Sequence, residues 1–349
     1  MRIGIVGGLM LEAIAEAASV PNHSGLLQGC EHHVPSSRGS RTREDCQRNR
    51  LHDRCHGARK GIQVKVNDLQ EQIPLDLLKD FGGDGPVIHL AHANGFPPGT
   101  YKPFAETFTD RYHVVGLPSR PLWPGFRPDS APNWNVLADD LIKGLDALGL
   151  KNIIGLGHSM GGVYTMLVAI RRPHLFRAVV LIDPVILPPT RLRVLKWMRW
   201  LGLGQRQPLV QDALHRRRIW PSREACYQRW RSKPFFGNWP DESLWAYVKA
   251  GTHEREDGQV ELVYPPEWEA HIFATAPTDI WDYIPQLRTR AVVIRGEHTN
   301  VFRPDSQRRM ERLLPEVCFH IIADAGHLVP MERPAETGAV IREFLAEIP

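Results

Sequence analysis

Cysteine is scarce in this 349-residue sequence: the five are Cys30, Cys46, Cys55, Cys226 and Cys318. They are odd in number, scattered and without a C-x-x-C pair, which excludes a disulfide framework and a cysteine-based metal knuckle. Long apolar runs are missing too. No stretch reaches the roughly eighteen residues a membrane-spanning helix needs, so stable membrane insertion is not expected. The charge balance is thin, with a net charge of +4. Residues 1–60 carry nine Lys/Arg against six Asp/Glu, and the remainder is close to neutral. Nothing in that balance calls for a nucleic-acid partner. Gly4, Gly7 and Gly8 lack the G-x-G-x-x-G spacing and a preceding strand, which argues against a dinucleotide loop.

Between Pro21 and Lys60 apolar periodicity of either kind is also lacking. The stretch is rich in Arg, His, Ser and Gly, so residues 1–61 read as a disordered or loosely attached leader. His32, His33, Cys46, Cys55 and His56 match no metal-ligand spacing, and no metal is expected. Glu12 and Glu16 interrupt the apolar start, which argues against a signal peptide and for a cytoplasmic protein. A working start near Gly61 is a further reading; with no Met between Met10 and Met160, it would use a non-Met codon.

From Ile62 onward the pattern is present and regular. Apolar runs at 87–90, 113–117, 153–156, 178–182, 291–295 and 318–323 predict buried strands. Helices are predicted at 135–148, 162–171 and 335–346, the first from an apolar stripe at 137, 141, 145 and 148. Strand–helix alternation implies an α/β fold with a doubly wound, mostly parallel sheet. Residues 186–285 break the alternation. They hold eight of the ten tryptophans and an arginine group that includes Arg191, Arg193, Arg216, Arg217 and Arg218. This predicts a mostly helical cap inserted into a core of residues 62–185 and 286–349. Its basic, aromatic composition reads as a solvated helix face over packed tryptophans, ahead of a nucleic-acid surface or a lid that touches a membrane.

The sharpest motif is Gly157-His158-Ser159-Met160-Gly161-Gly162, a G-x-S-x-G pattern between a predicted strand and a predicted helix. Such a turn lifts a serine hydroxyl clear of the sheet, and side chains in place of the flanking glycines would strike neighbouring backbone. The following helix N-terminus favours developing negative charge.

With its chain context, this motif resembles the α/β-hydrolase family over about residues 62–349. Two further segments carry the resemblance in the family's order: His92-Ala93-Asn94-Gly95-Phe96-Pro97 after the first buried strand, and Ala325-Gly326-His327 before the last helix. The resemblance implies Ser159 as nucleophile, His327 as general base, and an oxyanion hole from the backbone N–H groups of Met160 and Asn94. It makes His92 and His158 loop-shaping neighbours. The family's usual acid position, in Gly296-Glu297-His298-Thr299-Asn300, is occupied by Thr299. Asp183, at the end of strand 178–182, is the preferred replacement and Glu297 the alternative; Asp305 is a distant third and reads as an N-cap. Phe96 and Trp123 are candidate substrate-pocket residues, Trp123 with loop packing as its other role.

The implied activity is a serine hydrolase acting on an ester or related acyl bond of a small apolar molecule, with no cofactor. Serine in the nucleophile position argues against epoxide hydrolysis and dehalogenation, where relatives use Asp. Carbon–carbon hydrolysis and cofactor-free haloperoxidase chemistry use the same fold. A non-enzymatic binding protein is the competing class, favoured by the missing Asp at 299. Oligomeric state is not legible.

Overall fold

A computed structural model describes residues 73–348. The leader 1–61, its histidines and cysteines, and the N-terminal glycines lie outside the described residues. Seven strands form the main sheet: β1 (Lys79–Gly82), β2 (Val87–Ala91), β3 (His113–Gly116), β4 (Ile153–His158), β5 (Phe176–Ile182), β9 (Ala291–Gly296) and β10 (Cys318–Ile322). Their order is β1-β3-β2-β4-β5-β9-β10, and every pairing is parallel except that of β1 with β3.

Burial follows position in the sheet. All six residues of β4 and all six of β9 are buried, as both faces of a central parallel strand must be. In β5, Ala178, Val180 and Ile182 enter one apolar cluster and Val179 and Leu181 the other, so the sheet separates two cores. Strand β10 departs from expectation. It is the sheet edge and mostly exposed, with Ile321 half exposed, because its outer neighbour is solvent rather than another strand. The charged Lys79-Asp80 start hid β1 from the apolar pattern.

Helix α1 (Asn135–Ala147) and α2 (Met160–Arg171) pack on the sheet, and α9 (Pro334–Ala346) closes the chain. Between β5 and β9 come α3 (Pro189–Trp200), α4 (Pro208–Leu214), α5 (Arg223–Arg231), α6 (Asp241–Gly251) and α7 (Pro266–Ala274). A small antiparallel sheet accompanies them: β6 (Ile219–Trp220), β8 (Val260–Leu262) and β7 (Thr252–Glu254), in that order. These strands are too short to leave a period in the sequence. Helix α8 (Pro304–Leu313) follows β9.

Trp220, Trp230, Trp239, Trp268 and Trp281 are buried, but Trp197 and Trp200 are 67% and 76% exposed. Those two do not pack beneath the helix face. Phe96, in the loop after β2, packs at a tilt against Trp239 and Tyr247, in an aromatic group with Trp230 and Phe236 that joins the inserted elements to the core.

Candidate active site

The G-x-S-x-G turn is tighter than the sequence suggests. Helix α2 starts at Met160 rather than Gly162, leaving Ser159 alone between strand and helix. Its φ is +56°, a conformation that costs a non-glycine residue about 1–3 kcal/mol and must be imposed from outside. The constraint is visible. Ser159 N–H donates to the Ile182 carbonyl at 2.9 Å. A Cβ at Gly157 would stand 2.4 Å from the Gly161 carbonyl oxygen, and one at Gly161 would stand 2.0 Å from that of Ala91. The flanking glycines are steric requirements of this turn.

Asp183, immediately after β5, also has positive φ, at +42°, and its side chain is fully buried. His327 lies in the loop after β10. The three side chains form one chain of hydrogen bonds: Ser159 Oγ to His327 Nε2 at 2.9 Å, and His327 Nδ1 to Asp183 Oδ1 at 2.9 Å. With Asp183 as acceptor, Nδ1 carries the imidazole proton and Nε2 presents its lone pair to the serine hydroxyl. A hydroxyl that can pass its proton to an imidazole backed by a buried carboxylate is equipped for nucleophilic attack.

Thr299 does not leave a gap. Its hydroxyl donates to Asp183 Oδ1 at 2.7 Å, and Phe302 N–H reaches the same oxygen at 3.3 Å. Gly296 N–H donates to Oδ2 at 3.0 Å. The loop that would have supplied an acid instead supplies donors to one. Glu297, the alternative acid, is exposed, and its Oε2 accepts from Asp324 N–H. It is not in this chain of hydrogen bonds: in the loop directly after β9 its side chain is exposed, while that of Thr299 is buried. Asp305 sits in the first turn of α8, where Arg303 is the cap residue, and binds Ser306 N–H.

Two arrangements hold the loops, and of their side chains the sequence pointed only to His158, as a loop-shaping neighbour. Glu332 accepts from Gly326 N–H at 2.6 Å and Leu328 N–H at 3.0 Å, clamping His327 from both sides. Burial pushes its carboxyl above the usual carboxylate range despite those donors. The second is a relay. Ala93 N–H donates to Tyr101 Oη at 2.9 Å, Tyr101 O–H donates to His158 Nδ1 at 2.7 Å, and His158 Nε2–H donates to the His327 carbonyl at 2.9 Å. Three loops, distant in sequence, share one string of bonds, and burial pushes His158 down to about 3, so the string holds a neutral ring. His92 is likewise buried and pushed down to about 4, its Nε2 accepting from Ser119 N–H. Nothing local in the sequence marks Tyr101 or Glu332 for these parts.

Met160 opens α2, so its N–H has no acceptor within the helix. The Asn94 side chain is held from the inserted elements: Tyr264 O–H donates to its Oδ1 at 2.8 Å and its Nδ2 donates to the Glu269 carbonyl at 3.0 Å. Beside it Arg216 pairs with Glu269 at 2.6 Å and also hydrogen-bonds Tyr247. This pair abuts the loop, since a Cβ at Gly95 would lie 2.9 Å from Glu269 Oε1 and 3.4 Å from Arg216 Nη1. Trp123 is buried within its own loop, its indole N–H on the Pro118 carbonyl at 2.7 Å and its ring edge-on to Phe126. Among the described residues, Glu297, His298 and Asp324 are the one group close enough to share a cation, and all three are exposed.

Comparison with known proteins agrees with this architecture. The Abhydrolase domain-containing protein AKT2 of Alternaria alternata is 26% identical over 229 residues, 55% of this chain and 82% of that protein. N-formylmaleamate deformylase of Pseudomonas putida is 24% identical over 268 residues, 76% of this chain and 90% of that protein. The crystal structure of E-2-(acetamidomethylene)succinate hydrolase superposes with a TM-score of 0.62 at 19% identity, over 77% of this chain and 94% of its own. The sequence model of the alpha/beta hydrolase family matches residues 90–340, and this chain belongs to that family.

Proposed function

We propose that the chain is a serine hydrolase that cleaves an ester or related acyl bond through an acyl-enzyme. The observation that carries this reading is the continuous hydrogen-bonded run from Ser159 through His327 to Asp183. Ser159 Oγ attacks the acyl carbonyl as His327 Nε2 takes its proton. Asp183 stabilises the imidazolium and holds its tautomer. The oxyanion accepts from Met160 N–H and Asn94 N–H. His327 returns the proton to the leaving group, and a water activated by the same imidazole then releases the acid and frees Ser159.

A small apolar substrate fits the surroundings of the oxyanion loop. Phe96 brings an aromatic group to it. Arg216, the cation abutting the loop, already has its charge matched by Glu269. A carboxylate on the substrate would have to compete with that buried pair. The Thr299 contact supports an enzyme over a non-catalytic relative, because the residue that replaces the usual acid serves Asp183.

A fluorophosphonate probe tests the assignment. Wild type should be labelled and Ser159→Ala should not. Equal labelling of the two, or none of wild type, would remove Ser159 as the nucleophile.

A further inference from the structure

Residues 184–211 hold Arg191, Arg193, Lys196, Arg199 and Arg206 and not one Asp or Glu. Helix α3 lies in this stretch. Its inner face is ordinary, with Leu192 buried and Leu195 packed on the core. Its outer face is not. Val194, Trp197, Trp200 and Leu201, spaced as one side of a helix, are 60%, 67%, 76% and 47% exposed. Large apolar side chains gathered on one exposed face mark a contact surface. Arg191, Arg193 and Lys196 are exposed on the same helix.

The chemistry of this face selects its occupant. Nucleic acid would use the cations but gain nothing from Val194 and Leu201. A second copy meeting the same face would set these cations against themselves with no acid in the stretch to pair them. An anionic lipid surface uses every part: indole rings settle at the headgroup level, aliphatic side chains enter the acyl boundary, and cations meet phosphates. Arg199, one turn after Leu195, is on the inner side of the helix and is not part of the outer face. It borders a cavity of about 400 Å³ with Lys196, Asn135 and Asp279, and its buried Nε and Nη2 have no hydrogen-bond partner there.

We propose that α3 and the turn after it form a reversible anchor that lies in the interface of an anionic membrane. The helix begins six residues after Asp183, and Arg191 donates to the Asn300 carbonyl next to Thr299 at 3.4 Å. Docking by this face therefore holds the site close to the lipid. That last consequence rests on the proposed hydrolase reading; the docking itself does not.

The test is co-sedimentation of the full chain with phosphatidylcholine vesicles and with vesicles containing phosphatidylglycerol. Binding is expected to the anionic vesicles, weakened by salt and much poorer to the zwitterionic ones. Trp197→Ala/Trp200→Ala should lower the partition coefficient at least about tenfold, with an unchanged thermal midpoint because both rings are exposed. Arg193→Gln/Lys196→Gln should weaken binding to anionic vesicles alone. Ser159→Ala should bind as wild type, which separates failure of the anchor from failure of the nucleophile assignment. The proposal is overturned if wild type ignores both vesicles or if the double tryptophan variant binds undiminished. It is also overturned by a dimer, dispersed by that variant, in a protein that does not bind lipid.

Discussion

Asp183→Asn is the most informative single change, because every bond to the carboxylate is accounted for. Oδ1 accepts from His327 Nδ1, Thr299 Oγ1 and Phe302 N, and Oδ2 accepts from Gly296 N. An asparagine has one acceptor oxygen. If it faces the Oδ1 group, its NH₂ opposes Gly296 N–H, a buried clash of donors costing about 1–3 kcal/mol of stability. If it turns over, NH₂ faces His327 Nδ1 and selects the tautomer whose Nε2 carries a proton and cannot accept one from Ser159. Either way the charge that steadies the imidazolium is gone. The expected loss in kcat is about 10⁴-fold, or about 5.5 kcal/mol of barrier. Glu297→Gln, whose side chain meets only Asp324 N–H and the exposed His298 ring, should stay within about threefold of wild type. The assay is turnover of short-chain p-nitrophenyl esters, with thermal midpoints to separate misfolding from lost chemistry. A transplant sharpens it. Thr299→Asp alone places a second carboxylate against Asp183, where two negative charges oppose each other. Combined with Asp183→Asn it should recover at least about tenfold over the single Asn variant. The reasoning is refuted if Asp183→Asn retains activity within tenfold while Glu297→Gln loses orders of magnitude.

Three further outcomes follow from the same geometry. Glu332→Gln turns an amide donor toward Gly326 or Leu328 N–H, so kcat should fall about tenfold with KM little changed and stability should drop by about 1–3 kcal/mol. Arg216→Leu leaves Glu269 buried without its partner and should cost about 3–5 kcal/mol by urea denaturation, with Arg216→Leu/Glu269→Leu recovering most of it. Acid should destabilise the fold before ordinary carboxylate titration begins. Burial depresses His89 and His92 to about 4 and His158 to about 3, against 6.5 unfolded. Below 6.5 the unfolded chain therefore binds protons that the folded chain refuses. Stability is complete above that pH and falls toward pH 4 by up to about 4 kcal/mol per unit for the three together. A urea midpoint flat between pH 7 and 5 would show that these rings are not held neutral.

What was legible in the sequence divides along physical lines. Strands β2, β4, β5 and β9 were legible because burial on both faces forces continuous apolar runs; edge strands β1 and β10 obey weaker rules, so one was missed and the other read as buried. The serine turn was legible because steric necessity wrote glycines at 157 and 161. The acid was harder, since a carboxylate's role depends on which loop closes over it. Thr299 makes the point. Read as a letter, it marks a lost residue. Folded, it is a donor 2.7 Å from Asp183, in a loop brought there because Gly296 has no side chain to hold the Gly326 carbonyl off, where a Cβ would approach to 2.0 Å. His158 was expected to shape the loops, but its partner Tyr101 acts through bonds to other segments, and Glu332 through bonds back to Gly326 and Leu328 that no apolar period encodes. The inserted tryptophans show the opposite case. Composition suggested one packed layer, but helical spacing at 194, 197, 200 and 201 puts two rings outside, in a stretch, 184 to 211, that carries cations and no acid. That combination was present in the sequence throughout; it acquires meaning only when the inner face of α3 is seen to be satisfied already by Leu192 and Leu195, leaving the outer face without a partner inside the described fold.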